Sequence, residues 1–334
     1  MAQIILSEAA NNANSLYGEI QGPLKAFLES RDSAWEKDAQ TIMTKIFKET
    51  TSRHASENYG GMSGVDAFAP VGENGDYPVG GAQELPTKTI RNQTWKGSFA
   101  ISEEMMEDKL DSILVGKPTA FMDDYHRKKT EFFFGLLGAA MQNVDALKIG
   151  KFAFDVKTAD GARLFSQTHK MVVKGKNQCN AFSDTFSANA LSKVSTAHQN
   201  LCDDDGNILS LNPDTIIIPN FEDLKTEVFG VIGAHNDPTT ASGNKYNYLF
   251  GNWTVYVCPW LNKYCGDSRP WILMDSGYNK AYDCAINQNR SELRVTSTIA
   301  DNDANVWKGR ARFAGGFVDF RAFVAGGLSF GASA

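Results

Sequence analysis

The 334-residue chain has only five cysteines, and no two of them form a CxxC pair. Cys179, Cys202, Cys258, Cys265 and Cys284 are odd in number and irregular in spacing. A disulfide framework or a four-ligand zinc site does not fit that pattern, and free, buried thiols in a reducing compartment are expected. Long apolar runs are also missing. No stretch approaches the roughly 18–20 apolar residues of a membrane-crossing helix, so no membrane partner is expected. The opening MAQIILSEAANNANSLYGEI lacks a basic segment followed by an apolar one, so no signal peptide is expected and the cytoplasm is the expected place of synthesis and folding. Strongly basic windows are not evident: 33 Lys and Arg are scattered among 39 Asp and Glu, for a net charge of −6. A tight, sequence-reading DNA binder needs a basic stripe and is not expected, while a protein that merely tolerates DNA nearby fits.

Catalytic and metal-binding signatures fail on inspection. VGKPT at 115–119 has a Gly-Lys pair, but Pro118 stands where a P-loop needs Ser or Thr, and Asp111 replaces the upstream glycine. HExxH is absent, and GxSxG occurs once, as GLSFG at 327–331, where the spelling alone does not assign a nucleophile. DDDGN at 203–207 would put Leu201 at the first ligand position of a calcium loop. DNDANV at 301–306 has Val306 for the glycine and Arg312 for the bidentate glutamate. Both read as polar turns. No cofactor, metal or catalytic residue is assigned.

What is present is α+β in pattern. With 42% hydrophobic and 22% charged residues the chain suits a folded protein with a sizeable core. Residues 23–49 show helical spacing in Leu24, Phe27, Trp35, Ile42, Ile46 and Phe47, with Pro23 in the first turn. Residues 58–86 then hold seven glycines and three prolines, which excludes helix. A strand follows over 89–102, with Trp95, Phe99 and Ile101 on one side. Two extended limbs around a Gly/Pro tip describe a long hairpin. At ~3.3 Å per residue, about 12 residues reach ~40 Å, too far for the hairpin to be buried by its own domain.

The clearest helix is expected over 118–143, with Pro118 in its first turn and a stripe of Phe121, Tyr125, Phe132, Leu136 and Ala139. Further on, helix is expected over 188–202 and 221–232, and a loose loop over 234–247. Strands are expected over 215–218, 252–258, 270–275, 291–299, 307–313 and 316–324. In the last of these, alternation would put Asp319 and Arg321 on one face, as on a sheet edge or interface strand.

RLFSQTHK at 163–170 places Ser166 three residues before His169. A catalytic dyad would also need an orienting carboxylate and an oxyanion hole, and the sequence identifies neither. A cytoplasmic Ser/His hydrolase is the competing reading. The preferred one is a capped turn, with the hydroxyl on a backbone amide and the imidazole held in a crevice.

RLFSQTHK, ALSKVSTAHQNLCDDDGNIL, LNPDTIIIPNFEDLKTEVFGVI, PWILMDSGYN and GFVDFRAFVAGG, in that order, resemble the major head proteins of tailed bacteriophages, particularly the Mu-like branch. The resemblance implies the capsid fold named after phage HK97. Its parts would be an N-terminal arm over 1–60, an extended E-loop over 61–104, and a peripheral domain over 105–187 with a spine helix at 118–143. An axial domain over 188–288 and C-terminal strands over 289–334 returning to the peripheral domain would complete it. The implied function is a structural, non-enzymatic subunit. It would assemble into hexamers and pentamers of an icosahedral head, in the host cytoplasm, around double-stranded DNA contacted weakly and without sequence specificity. In such a shell the long hairpin lies over the neighbouring subunit. Contact candidates are Phe68, Glu73, Asp76, Tyr77, Lys88, Arg91, Trp95, Lys96, Asp319 and Arg321. A scaffolding protein, a portal and decoration proteins are the implied partners. With about 60 residues before the hairpin, no long cleaved segment is expected. Some relatives join subunits by a Lys–Asn bond; Lys88 and Lys96 are the lysines of this region, and no crosslink is expected. An encapsulin-type compartment shell is the alternative within the same fold.

Overall fold

The structure is a computed structural model and describes residues 3–5, 25–26, 28–32, 42–61, 63, 68–73, 75–108, 111–171, 176–233, 247–301 and 304–329. In chain order the elements are β1 (Gln3–Ile5), α1 (Ile42–Ile46), β2 (Lys48–Thr51), β3 (Ser56–Tyr59), β4 (Lys88–Arg91), β5 (Gln93–Ile101), α2 (Glu103–Glu107) and α3 (Asp111–Met141). Then come β6 (Ala146–Ile149), β7 (Phe152–Asp155), α4 (Ala188–Gln199), β8 (Thr215–Pro219), α5 (Glu222–Gly233), β9 (Thr254–Cys258) and α6 (Asn262–Cys265). Last are β10 (Trp271–Met274), α7 (Ser276–Ala281), β11 (Ala285–Ile299), β12 (Asn305–Phe317) and β13 (Phe323–Gly326). The chain divides into two compact units. One is Met1–Glu57, Arg91–Phe133 and Asn287–Gly315; the other is Asn58–Ile90, Phe134–Ile286 and Gly316–Ala334.

The first unit is built on a sheet of order β1-β11-β12-β5, with β2 also on β11. β5 runs antiparallel to β12, from Gln93 opposite Phe313 to Ile101 opposite Asn305. Strand alternation decides the two faces. On β12, Trp307, Gly309, Ala311 and Phe313 are buried, while Lys308 and Arg310 are exposed. Trp95 stacks on Phe313 at 4.9 Å and Phe99 on Trp307 at 6.1 Å. Helix α3 brings Phe121, Phe132 and Phe133 to the same aromatic layer. Gly309 is required there, since a Cβ at that position would lie 2.5 Å from Phe121. The expected aromatic stripe is therefore core.

Two helix expectations need correction. Residues 25, 26 and 28–32 are helical, but α1 stops at Ile46 and Lys48–Thr51 is a strand. β2 pairs with β11, and just beyond it Ser52 N–H donates to Asn289 O at 2.8 Å. Sheet pairing, helped by β-branched Thr50 and Thr51, wins over the helical pattern. Pro118 does not open α3 either; the helix starts at Asp111 and Pro118 lies inside it. The proline removes one intrahelical bond. The helix continues through it because the face beyond is buried, at Met122, Phe132 and Phe133.

The second unit holds a sheet of order β13-β10-β8-β9. β8, TIIIP, is buried at every position, as its continuous apolar run suggests. Its Ile216 and Ile218 join Leu191 and Val194 of α4, Leu224 and Val228 of α5, and Trp271 and Leu273 of β10 in one core. Ser187 caps α4, accepting from Ala190 N–H. The expected strand over 316–324 is two strands with a turn at 318–322 between them. Asp319 Oδ1 accepts from Arg321 N–H at 3.0 Å, and Phe323 N–H donates to Phe320 O at 2.9 Å. An aspartate that bonds two residues on favours a turn over continued strand. The expected loop over 234–247, apart from Asn247, lies outside the described residues, as do Asn302 and Asp303 of the second polar turn.

Candidate assembly surfaces

RLFSQTHK forms a turn. Ser166 Oγ accepts from Thr168 N–H and donates to Thr168 O, both at 3.1 Å. His169 is fully buried, with Nδ1 2.6 Å from Asp160 and Nε2 3.0 Å from Asn180 Oδ1. Asn180 donates its amide hydrogens to Leu164 O and Phe323 O, which fixes its oxygen as an acceptor. That oxygen also takes the N–H of Ser166 at 2.9 Å. Both ring nitrogens of His169 thus face acceptors, and the ring stacks on Phe320 at 3.6 Å. Burial works to raise the Asp160 carboxyl, but bonds from His169 and Thr158 outweigh it and hold the group below the usual carboxylate range. The histidine is a tie between chain segments, and the serine is spent on its own turn. The DDDGN turn is similar: Asp203 accepts from the N–H groups of Asp205 and Asn207, and Gly206 takes φ +92°.

The loop at 61–86 leaves the second unit as a short ladder. Leu85 N–H donates to Gly61 O at 3.0 Å and Ser63 N–H to Gln83 O at 2.8 Å. Its base is pinned by Lys88, which is buried and donates to Asp155 at 2.5 Å and to Lys157 O at 2.6 Å. Beyond the ladder Phe68, Tyr77 and Val79 are more than nine-tenths exposed, with no cover among the described residues. Glu73, Asp76 and Glu84 are exposed too. Between Arg53 and Lys88 the sequence has five acidic residues and no Lys or Arg.

In the first unit, the sheet face away from the aromatic layer is cationic. β12 presents Lys308, Arg310 and Arg312 on alternate residues, and β5 sets Lys96 directly opposite Arg310. β11 adds Arg290 and Arg294, with Glu292 as the acid among them. Lys96, Arg294, Lys308 and Arg310 line a shallow depression of about 510 Å³. Burial and then the nearby Arg290 and Arg310 push the Arg312 guanidinium below its usual value. None of these six cations bonds or ion-pairs through its side chain with another described residue.

Other contact candidates fall in mixed places. Arg91 is exposed, while Trp95 is half-buried against Phe313. Arg321 is buried and bound to Asp204 at 2.9 Å and Asp319 at 3.2 Å, so both of that pair serve their own unit. The cations of β11 and β12 escaped the sequence reading. KGRAR at 308–312, with a cation every second residue, was the available signal. Burial pushes the thiols of Cys258 and Cys265 up, to about 12 and about 11, and none of the five cysteines is bonded to another. Among the described residues no cluster of three or more His, Cys, Asp or Glu is placed to hold a metal, and no helix is long and apolar enough to cross a membrane.

A family model described as phage capsid protein matches residues 85–326. No curated protein matches the chain. Among solved structures, the capsid of Ralstonia phage GP4 is similar at 9% identity and a TM-score of 0.52, over 86% of this chain and 88% of that one. The capsid of cyanophage P-SCSP1u is similar at 9% identity and a TM-score of 0.51, over 87% and 89%.

Proposed function

Since the chain belongs to the phage capsid protein family, and is a structural major capsid protein with an HK97-like fold, we propose how its parts build a head. Subunits join through the 61–86 loop into hexamers and pentamers that close an icosahedral shell around double-stranded DNA. The observation that carries this is the loop itself. Three large apolar side chains almost fully in water are costly unless another surface covers them, at about 1.5–3 kcal/mol for each one buried. A second copy is the cover that a shell supplies.

The proposed parts are an arm over 1–60, an E-loop region over 61–104, a peripheral domain over 105–187 and 289–334, and an axial domain over 188–288. The core around β8, β10, α4 and α5 supports the axial part. β5 pairs along its whole length with β12, which favours 61–86 as the free portion of the loop. Assembly takes place in the host cytoplasm, with a scaffolding protein, a portal and decoration proteins as partners. The subunit performs no catalysis, a reading supported by a serine and a histidine that are each bound elsewhere. The family match favours the phage head over an encapsulin compartment.

The test is to express the chain alone and with its scaffolding protein, and to examine the soluble fraction by light scattering and negative-stain electron microscopy. Shells, tubes, hexamers or pentamers are expected. A monomer at every concentration under both conditions would overturn the proposal.

A further inference from the structure

We infer that the cationic face of the β5–β12–β11 sheet is the receptor for the acidic 61–86 loop of a second copy, held by ion pairs and cation–π contacts. This rests on the shell reading above and adds which surface meets the loop, and by what chemistry.

On the receptor side, register puts Arg310 directly opposite Lys96. Like charges directly opposite in a sheet destabilise it, typically by a few tenths of a kcal/mol to about 1. Lys308 and Arg312 extend the same face along β12, and Arg294 joins it from β11. In a chain of net charge −6 such a concentration is a local inversion of sign. With no described partner for these side chains, the face is left to be neutralised from outside.

On the ligand side, the loop has the opposite sign and no base to compensate it. Glu73 and Asp76 stand beside Tyr77, and Phe68 and Tyr77 offer bare aromatic faces. Guanidinium and ammonium groups bind both kinds of group, carboxylates by charge and aromatic faces by cation–π attraction. The aliphatic stems of Lys and Arg also cover apolar side chains such as Val79. A polyanion such as double-stranded DNA would meet the charge, but it would leave the loop's aromatic groups uncovered. A second copy of the chain answers both.

The test uses the full chain in three variants: Lys96→Glu/Arg310→Glu, Glu73→Lys/Asp76→Lys, and all four changes together. Each double reversal is expected to raise the concentration needed for assembly about tenfold or more, in line with charge complementarity at interfaces, and the fourfold swap to bring it back toward wild type. In wild-type assemblies of mixed isotopic label, carbodiimide coupling should join Glu73 or Asp76 of one copy to Lys96 or Lys308 of another, which needs no mutant to fold. Wild type that assembles while the Lys96/Arg310 variant assembles equally well overturns the inference and leaves the shell reading intact. So does a variant that assembles normally but loses binding of a double-stranded oligonucleotide, since that assigns the face to nucleic acid. Absence of the intersubunit crosslinks in intact shells overturns it as well.

Discussion

Replacing Asn180 with Ala tests the reading of RLFSQTHK most directly. Asn180 is fully buried and uses its whole hydrogen-bonding capacity. Its amide donates to Leu164 O at 2.7 Å and Phe323 O at 3.0 Å, and its oxygen accepts from Ser166 N–H at 2.9 Å and His169 Nε2 at 3.0 Å. Alanine leaves two carbonyls, one amide and one imidazole nitrogen without this partner. At about 1 kcal/mol or more for each buried group, with some relief from water entering the space, the loss should be about 3–5 kcal/mol. A unit of this size loses ~2–4 °C per kcal/mol, so melting should fall by about 10 °C. The assay is thermal and urea unfolding of the unassembled subunit, followed by tryptophan fluorescence. Ser166→Ala is the companion. That hydroxyl bonds only the backbone of Thr168 two residues on, and its loss should cost about 1 kcal/mol. A loss below about 1 kcal/mol for Asn180→Ala, or a larger one for Ser166→Ala, would refute the view that Asn180 and His169 are the structural knot.

Stability should also fall as pH drops from about 6.5, because burial, the largest cause, holds the His198 imidazole below its ordinary value. A histidine whose folded value is lowered contributes stability in full above its unfolded pKa and loses it as the pH falls below that value. His198 Nε2 donates to Arg321 O at 2.7 Å, so His198→Gln keeps a donor while removing the titration. Urea midpoints of wild type and variant should converge or cross between about pH 7 and 5; parallel curves would refute it. Within α3, Gly138→Ala would put a Cβ 2.3 Å from the Tyr264 ring, whereas Gly116→Ala meets nothing within 4 Å. The first should cost ~1–3 kcal/mol through overpacking, and the second should stabilise by up to about 1 kcal/mol through helix propensity. Equal melting temperatures would contradict that account.

Local periodicity made much of this fold legible. The stripe of Phe121, Phe132 and Leu136 announced α3, the apolar run Thr215–Ile218 announced β8, and the Gly/Pro tract announced the loop. Failures came where a distant partner decides. Lys48–Thr51 has a helical neighbourhood and becomes a strand only because β11 is there to pair with it. Asp319 and Arg321 alternate like strand residues, yet a two-residue aspartate bond turns the chain. The cationic face was only partly legible, in KGRAR at 308–312, for a different reason. Its residues come from positions 96, 290–294 and 308–312, and no sequence window contains them together. Glu73 and Asp76 of the loop, by contrast, lie in one sequence window and were among the contact candidates.

The register of the first unit's sheet also sets a clock. β1 pairs Gln3 with Arg294, and β5 pairs Lys96 with Arg310. The first of these spans roughly 290 residues, which at about 5–20 residues per second is some 15–60 s of synthesis. The acidic loop leaves the ribosome long before β11 and β12, which carry most of its proposed receptor. A nascent chain therefore presents no complete receptor until β12 has been made. Competence to associate would arrive only with β12, so that the loop waits for the face it is proposed to meet.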